Sequence, residues 1–418
     1  MFAKDLLANY QDVARLTGIC DVNPGRLSLA RNELGVNVAS FTDFGDMLKE
    51  VPCDTVIVAT KDATHHEFII AALEAGKDVI TEKPMTTDGS KCKAILDAEE
   101  RTGGRVTVTF NYRYAPYKTT IKQLIRDGLV GDIHSVEFRW FLDTVHGADY
   151  FRRWHRNKRN SGGLFIHKSS HHFDLVNWWL DLEPKAVFAM GGRSFYTADR
   201  LPGHGERCSD CRVRSDCPFY LDISKGRMKA LYADNEHYDG YHRDQCVFSE
   251  TTDIEDTMSA LVRYEGGVQL TYALTAYAPF EGWKVAFNGS KGRLEAFEPE
   301  YFVVAEDQTS FDRRQSEEIR RPVDWTSASA LAGRDVESQQ IVFYPLFGGK
   351  RTWEVPVQTG GHGGGDRLLR DHLFRPDESD RYGHRANSRA GALAMLVGAA
   401  ANRSMEQGRM VSIEELLL

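Results

Sequence analysis

The sequence predicts an α/β protein: a doubly wound parallel sheet over residues 1–113, then an α+β domain with a mostly antiparallel open sheet over residues 114–418. Three observations predict it. Strand-like apolar runs alternate with helical stretches as far as about Phe110, the pattern of a parallel sheet with helices on both faces. Beyond Tyr114 long period-two runs follow one another, which suits an antiparallel sheet. The tripeptide Glu82-Lys83-Pro84 closes a strand-like run, at the place where open α/β sheets bind ligands.

The elements follow in order. A helix reads from Phe2 to about Tyr10, a strand from Ala14 to Cys20, a helix from Gly25 to Leu34 and a short helix from Asp43 to Lys49. Thr55–Thr60, a helical stretch from Ala63 to Glu74, and Asp78–Thr81 form a βαβ unit. A helix over Ser90–Thr102 and a strand over Val106–Phe110 complete this part. Strands are then predicted over Ser135–Phe141, Ala186–Phe195, Ser259–Tyr264, Gln269–Tyr277, Trp283–Phe287, Tyr301–Ala305 and Ile341–Leu346. Glu265-Gly266-Gly267 is a hairpin turn signal, and Ala390–Glu406 a closing helix ended by Gly408. Residues from about 200 to 246 read as an insertion rich in Arg, Asp and Tyr.

Composition bounds the function. A chain of 418 residues with 42% hydrophobic and 27% charged residues is an ordinary globular protein with core for two or three domains. Its net charge of −8 argues against a nucleic-acid or membrane-surface partner, which would call for a basic face. No apolar run approaches the roughly 20 residues of a membrane span, and no secretory signal opens the sequence. Seven cysteines are too few for a disulfide scaffold at this length, so cytoplasm is the expected compartment.

A dinucleotide-binding sheet normally opens with a strand and a glycine-rich turn whose backbone approaches the pyrophosphate. This sequence opens in what should be the following helix, and no Gly-x-Gly-x-x-Gly precedes Asp21. Omitting an innermost strand would leave two unpaired edges, so the expectation is a late start at an internal Met.

Several residues carry candidate chemistry. Lys83 is the leading catalytic candidate from its place at a strand end; out of that context, Glu-Lys-Pro is a charged turn. Asp21, at the end of the first strand, is placed to bond ribose hydroxyls, although an acid there is often only a cap. His167, His171 and Asp174 are spaced four and then three, which puts them on one face of a helix. A histidine there suits acceptance of a hydroxyl proton near neutral pH. The plain alternative is a solvated or capped histidine face. A metal reading needs a third ligand from His172, Asp174 or His362. Cys208, Cys211, Cys217 and Cys246 form a second cluster, open to a structural zinc that staples an otherwise coreless insertion, to free or redox thiols, or to an iron–sulfur cluster. The glycine-rich loop ending in His362 and Asp366 reads as a linker or an active-site lid.

The ordered series Cys20-Asp21, Ala59-Thr60 with His65, Glu82-Lys83-Pro84, Asn111-Tyr112-Arg113 and Gly128-Leu129-Val130-Gly131-Asp132-Ile133 resembles the Gfo/Idh/MocA oxidoreductases, named for glucose–fructose oxidoreductase and inositol dehydrogenase. The run from Gly162 to Asp174 aligns without a gap to that family's glycine pair and Asp-x-x-x-His-x-x-Asp motif. His171 matches the catalytic histidine and Asp174 the last acid, while His167 stands where an Asp is usual. The resemblance implies a Rossmann-type first domain that binds NAD or NADP, with Asp21 favouring NAD and Arg26 able to accommodate a 2′-phosphate. It implies hydride transfer to or from a hydroxyl-bearing carbon of a sugar, glycoside or cyclitol. Lys83 and His171 would be the proton-handling pair with His167 as relay. Asp21, Thr60, His65, Glu82, Lys83 and Asn111 would serve the cofactor, and Arg113, Trp154, Arg156, Lys168 and Asp174 the carbohydrate or polyol. Two alternatives stay open: an NAD- or metal-assisted glycoside lyase or hydrolase without net redox, and a non-catalytic member without a working cofactor site. The family, and the interleaving of Leu270, Tyr272 and Leu274 with Thr271, Ala273 and Thr275, point to a homodimer or homotetramer through a bare sheet face; the alternative is a monomer in which the insertion around Cys208 folds back over that face.

Overall fold

Asn23 caps a helix with its side chain, Pro24 occupies the first turn and Gly35 ends it at φ 64°, so local chemistry alone fixes the second helix of the chain. The computed structural model describes residues 2–35, 37–302, 338–358, 361–375 and 379–417. Its first part runs α1 (Phe2–Asn9), β1 (Gly18–Cys20), α2 (Pro24–Leu34), β2 (Ala39–Phe41), α3 (Phe44–Glu50), β3 (Thr55–Val58), α4 (His65–Glu74), β4 (Asp78–Thr81), α5 (Gly89–Thr102) and β5 (Val106–Val108). Strands β3, β4 and β5 pair in parallel, and so do β1 and β2. The two groups are separate ladders, so the single sheet expected from the sequence is split between β1 and β3 among the described residues. The strand expected from Ala14 is confined to Gly18–Cys20, because the backbone turns first: the Tyr10 carbonyl accepts from the Val13 and Ala14 amides.

The chain continues through α6 (Pro116–Arg126), β6 (Ile133–Asp143), α7 (His146–Arg152), α8 (Lys158–Ser161), α9 (Leu164–His167), α10 (Ser169–Leu180) and β7 (Pro184–Gly192). Within the insertion lie the short helices α11 (Gly226–Leu231) and α12 (Glu236–Asp239). Then come β8 (Thr257–Tyr264), β9 (Gln269–Ala278), β10 (Phe280–Gly289), β11 (Gly292–Phe302), β12 (Ser338–Pro345), β13 (Arg351–Pro356), α13 (Gly365–Phe374), β14 (Ala386–Asn387), α14 (Ser388–Gln407) and β15 (Val411–Ser412). The strand expected over Tyr301–Ala305 falls largely outside the described residues, which keep only its first two positions at the end of β11. Strands β6–β13 and β15 form one nine-stranded sheet in the order β13-β12-β11-β10-β6-β9-β8-β7-β15. Every pairing in it is antiparallel except β6 with β9. A Rossmann-like parallel sheet is therefore followed by a domain built on a mostly antiparallel sheet.

Alternation assigns the faces. Leu270, Tyr272, Leu274 and Ala276 on β9 are buried against α10 and its neighbours, while Gln269 and Thr271 point away. Helix α14 ties the two sheets together, lying on β7 and α9 and also on α5 and β5. Gly398 lets it approach: a Cβ there would stand 2.4 Å from the Phe165 carbonyl oxygen. Helix α6 escaped the sequence reading because Lys118 and Lys122 look like solvent residues. Both are buried, Lys118 against Glu298 at 2.6 Å and Lys122 against Asp181 at 2.6 Å. No helix among the described residues is long and apolar enough to cross a membrane.

Candidate active site

Strand β4 ends at Thr81, and the next residues turn Lys83 toward the second domain. Its ammonium donates to the His167 carbonyl at 3.0 Å. That contact joins the carboxyl end of the parallel sheet to α9, and the candidate groups meet at this junction of the two sheets. Burial holds the Lys83 amine below the ordinary lysine range, while the nearby Asp62 and Glu82 carboxyls work in the opposite direction. The Lys83–Pro84 peptide is cis.

His65 explains how this corner is held. Its Nδ1 lies 2.8 Å from the Pro84 carbonyl and its Nε2 3.1 Å from the Thr60 carbonyl. Burial pushes the ring down to about 4, so it is neutral and has one proton to donate. Only one of the two carbonyls can accept it. His65 therefore spans the ends of β3 and β4 with both ring nitrogens on the protein's own backbone. Thr60 is exposed at the rim, its hydroxyl 3.0 Å from that of Thr64.

Three buried histidines of the second domain, His155, His167 and His171, gather at this corner, and a fourth, His172, turns into the core. His167 Nδ1 lies 2.5 Å from Asp62 Oδ2, and its ring packs 4.1 Å from His155 and 5.3 Å from Tyr150, centroid to centroid. His155 stacks on Trp154 at 3.7 Å. His171 packs 4.5 Å from Tyr112 and 6.4 Å from His362, and its Nδ1 is buried without a hydrogen-bond partner. His172 instead bonds the Tyr272 hydroxyl at 2.7 Å and stacks on Trp140, a core position. Burial, with the Lys83 charge behind it, holds His167 and His171 well below the ordinary histidine range. At both positions burial favours the uncharged imidazole. Burial likewise drives the Asp62 carboxyl well up, so the Asp62–His167 pair favours a shared proton over separated charges.

The chain breaks the expected single helix at Lys168, between α9 and α10. His167, His171 and Asp174 consequently take separate partners rather than one common ligand. Asp174 is buried in a two-bond pair with Arg113, at 2.7 and 2.5 Å. These two residues, expected to touch substrate, satisfy each other and brace the short 3-10 turn of residues 111–114 against α10. Arg156 is likewise buried and bonds Gln245, Thr251 and Thr252 at the foot of the insertion. Trp154 is half-buried beside His155, and Lys168 donates to the Tyr112 hydroxyl at 3.2 Å. Sequence reasoning missed Asp62 and His155. Neither belongs to a motif, and only the fold brings each to His167.

The strand ends suit a dinucleotide. Asp21 follows β1, and Glu82 and Lys83 follow β4. Asn111, after β5, gives its amide N–H to Asp366 at 2.7 Å and keeps its Oδ1 buried without a partner, an acceptor set for a carboxamide or hydroxyl donor. His362 Nδ1 stands 2.9 Å from both Asn111 and Asp366, which brings the glycine-rich loop onto the site.

Of the alternatives open for the cysteine cluster, structural zinc finds no support among the described residues. Cys208, Cys211, Cys217 and Cys246 line one small cavity, yet among the described residues no three of His, Cys, Asp and Glu are arranged to hold a metal ion. The insertion has other support. Cys208 packs with Leu221 and Ile223 and receives Arg152 at 3.1 Å, while Arg207 pairs with Asp244 at 2.7 Å and Glu236 at 2.8 Å. The premise that this segment lacks a core does not hold.

Residues 1–110 match the family model described as "Oxidoreductase family, NAD-binding Rossmann fold", and residues 122–413 the one described as "Oxidoreductase family, C-terminal alpha/beta domain". YteT of Bacillus subtilis, a protein named as an oxidoreductase, is 38% identical over 434 aligned residues, covering 100% of this chain and 95% of that protein. The "Inositol 2-dehydrogenase/D-chiro-inositol 3-dehydrogenase" of Lactiplantibacillus plantarum is 28% identical over 164 residues, 39% of this chain and 44% of the relative. Among solved structures, the WlbA dehydrogenase of Bordetella pertussis in complex with NADH and UDP-GlcNAcA superposes with a TM-score of 0.62 at 18% identity, covering 99% of this chain and 95% of that one. These matches span both sheets and the junction between them, and the chain belongs to the Gfo/Idh/MocA family of oxidoreductases.

Proposed function

We propose that this chain is an NAD-dependent dehydrogenase of a cyclitol, sugar or glycoside, with Lys83 and His171 handling the proton of the reacting hydroxyl. The observation that carries the reading is the Lys83 bond to His167, which puts a buried amine from the cofactor domain among neutral histidines of the second domain. NAD, when bound along the strand ends, supplies the hydride acceptor. Lys83 bonds the substrate oxygen and stabilises negative charge as it develops. His171, neutral and with spare acceptor capacity, takes the hydroxyl proton. His167 and Asp62 form a second proton store, in place of the lone acid that the family motif carries at residue 167. Tyr112 packs on His171, and Trp154 and His155 on His167, which makes the surroundings of the two histidines aromatic, a lining that suits the apolar face of a ring. The inositol-dehydrogenase names of several relatives support the polyol class.

A panel of cyclitols, hexoses and glycosides incubated with NAD tests the reading. The expected result is NADH, followed by its near-ultraviolet absorbance, in a one-to-one ratio to oxidised product. Cleaved product without net NADH would replace this reading with a lyase that only borrows the cofactor.

A further inference from the structure

The insertion does more than fill space: it docks on the turn between β1 and α2, where the adenosine ribose of a dinucleotide is read. Asn23 Nδ2 donates to the Asn235 carbonyl at 2.9 Å, and Arg227 pairs with Glu33 of α2 at 2.9 Å. Gly25 is required for the approach, since a Cβ there would stand 1.8 Å from Asn235 Oδ1. The docked loop then captures Arg26. Its guanidinium makes two bonds to Asp239, at 2.7 and 3.2 Å, and sits against the rings of Tyr232 and Tyr241, 5.9 and 5.3 Å from their centroids. Burial opposes the Asp239 charge, but the Tyr241 amide and Arg26 prevail and hold its carboxyl below the usual range.

This matters because Asp21 and Arg26 pull cofactor choice in opposite directions. An acid at this strand end bonds the free ribose hydroxyls of NAD and repels a 2′-phosphate; a nearby arginine can offset that repulsion. Here the arginine's charge is already matched by Asp239, a residue some 213 positions away in sequence. A 2′-phosphate entering here meets the Asp21 carboxylate and a guanidinium whose charge is already matched by Asp239.

Resting on the dehydrogenase reading above, we infer that the insertion sets cofactor selectivity: Asp239 sequesters Arg26 and thereby excludes NADP in favour of NAD. Asp239 and Arg26 are positioning residues in this account, with Asp21 the group facing the ribose. The test is direct binding, independent of any substrate: titration of the purified chain with NADH and with NADPH, read by nicotinamide fluorescence. Wild type should bind NADH at least about tenfold more tightly than NADPH. Asp239→Ala should tighten NADPH by roughly tenfold and leave NADH nearly unchanged, by freeing a bidentate phosphate partner. Arg26→Ala in the Asp239→Ala background should erase that gain, which separates a released arginine from a general loosening of the loop. An unchanged NADH-to-NADPH ratio in Asp239→Ala overturns the inference alone. Binding of neither nucleotide by wild type overturns the dehydrogenase reading, and this inference with it.

Discussion

Glu281 shows how far a single buried group can set the behaviour of this protein with pH. It is fully enclosed, receives the Asp143 amide at 2.9 Å and the Trp140 indole N–H at 3.3 Å, and lies 3.1 Å from His146. Burial raises its carboxyl to about 8, with the Lys168 charge opposing. A carboxyl raised on folding binds its proton more tightly in the native state. Its contribution is therefore complete below the unfolded value near 4.5 and is lost as pH rises through about 8. Glutamine cannot ionise, so Glu281→Gln should gain stability relative to wild type by a few kcal/mol between pH 5 and pH 8.5, roughly as the pKa displacement implies. Urea denaturation of both proteins at the two pH values measures this, and parallel curves would contradict it. Asp62→Asn asks a different question. It keeps the shape but removes the acid beside His167, so turnover should fall on the order of a hundredfold with a displaced pH–rate profile and little change in KM. Motif spacing made Lys83 and His171 legible in the sequence. Asp62 was not, because an aspartate between a strand and a helix carries no local signal, and its meaning lies 105 positions away at His167. The Arg113–Asp174 pair shows the converse: motif position suggested substrate contact, and geometry spends both groups on each other.

At the scale of elements, the junction of the two sheets depends on how closely α14 can approach α9. Gly398→Ala places a methyl against the Phe165 carbonyl at 2.4 Å, a backbone atom with little room to retreat. Overpacking of this kind destabilises by about 1–3 kcal/mol and should displace the segment that carries His167. A lower melting temperature together with weakened turnover is the expected outcome; a variant that melts and turns over like wild type would show that α14 does not position the site. Period-two and helical patterns made most strands and helices legible, including β8, β9 and the Glu265–Gly267 turn between them. Two kinds of element escaped. Helix α6 was hidden by lysines whose partners, Glu298 and Asp181, no local pattern discloses. The short β2 has only the three residues Ala39–Phe41, too few to show a period, and its pairing with β1 is a long-range event.

For the whole molecule, the nine-stranded sheet has helices on one face and exposes Met190, Leu261, Phe297 and Tyr344 on strands across the other. A bare sheet face of this extent is the kind that a second copy covers. Light scattering at micromolar concentration should return twice the mass of one chain, 47.2 kDa, or a higher even multiple; a single-chain mass would contradict it. The same architecture gives the account its central claim, that a lysine from the parallel sheet and histidines from the second domain form one proton-handling centre. Turnover of wild type and Lys83→Ala, side by side with NAD and the polyol that the panel identifies, tests that claim most directly. Lys83→Ala should lose about a thousandfold in kcat while keeping its circular dichroism. Wild-type kcat in that variant would contradict the account.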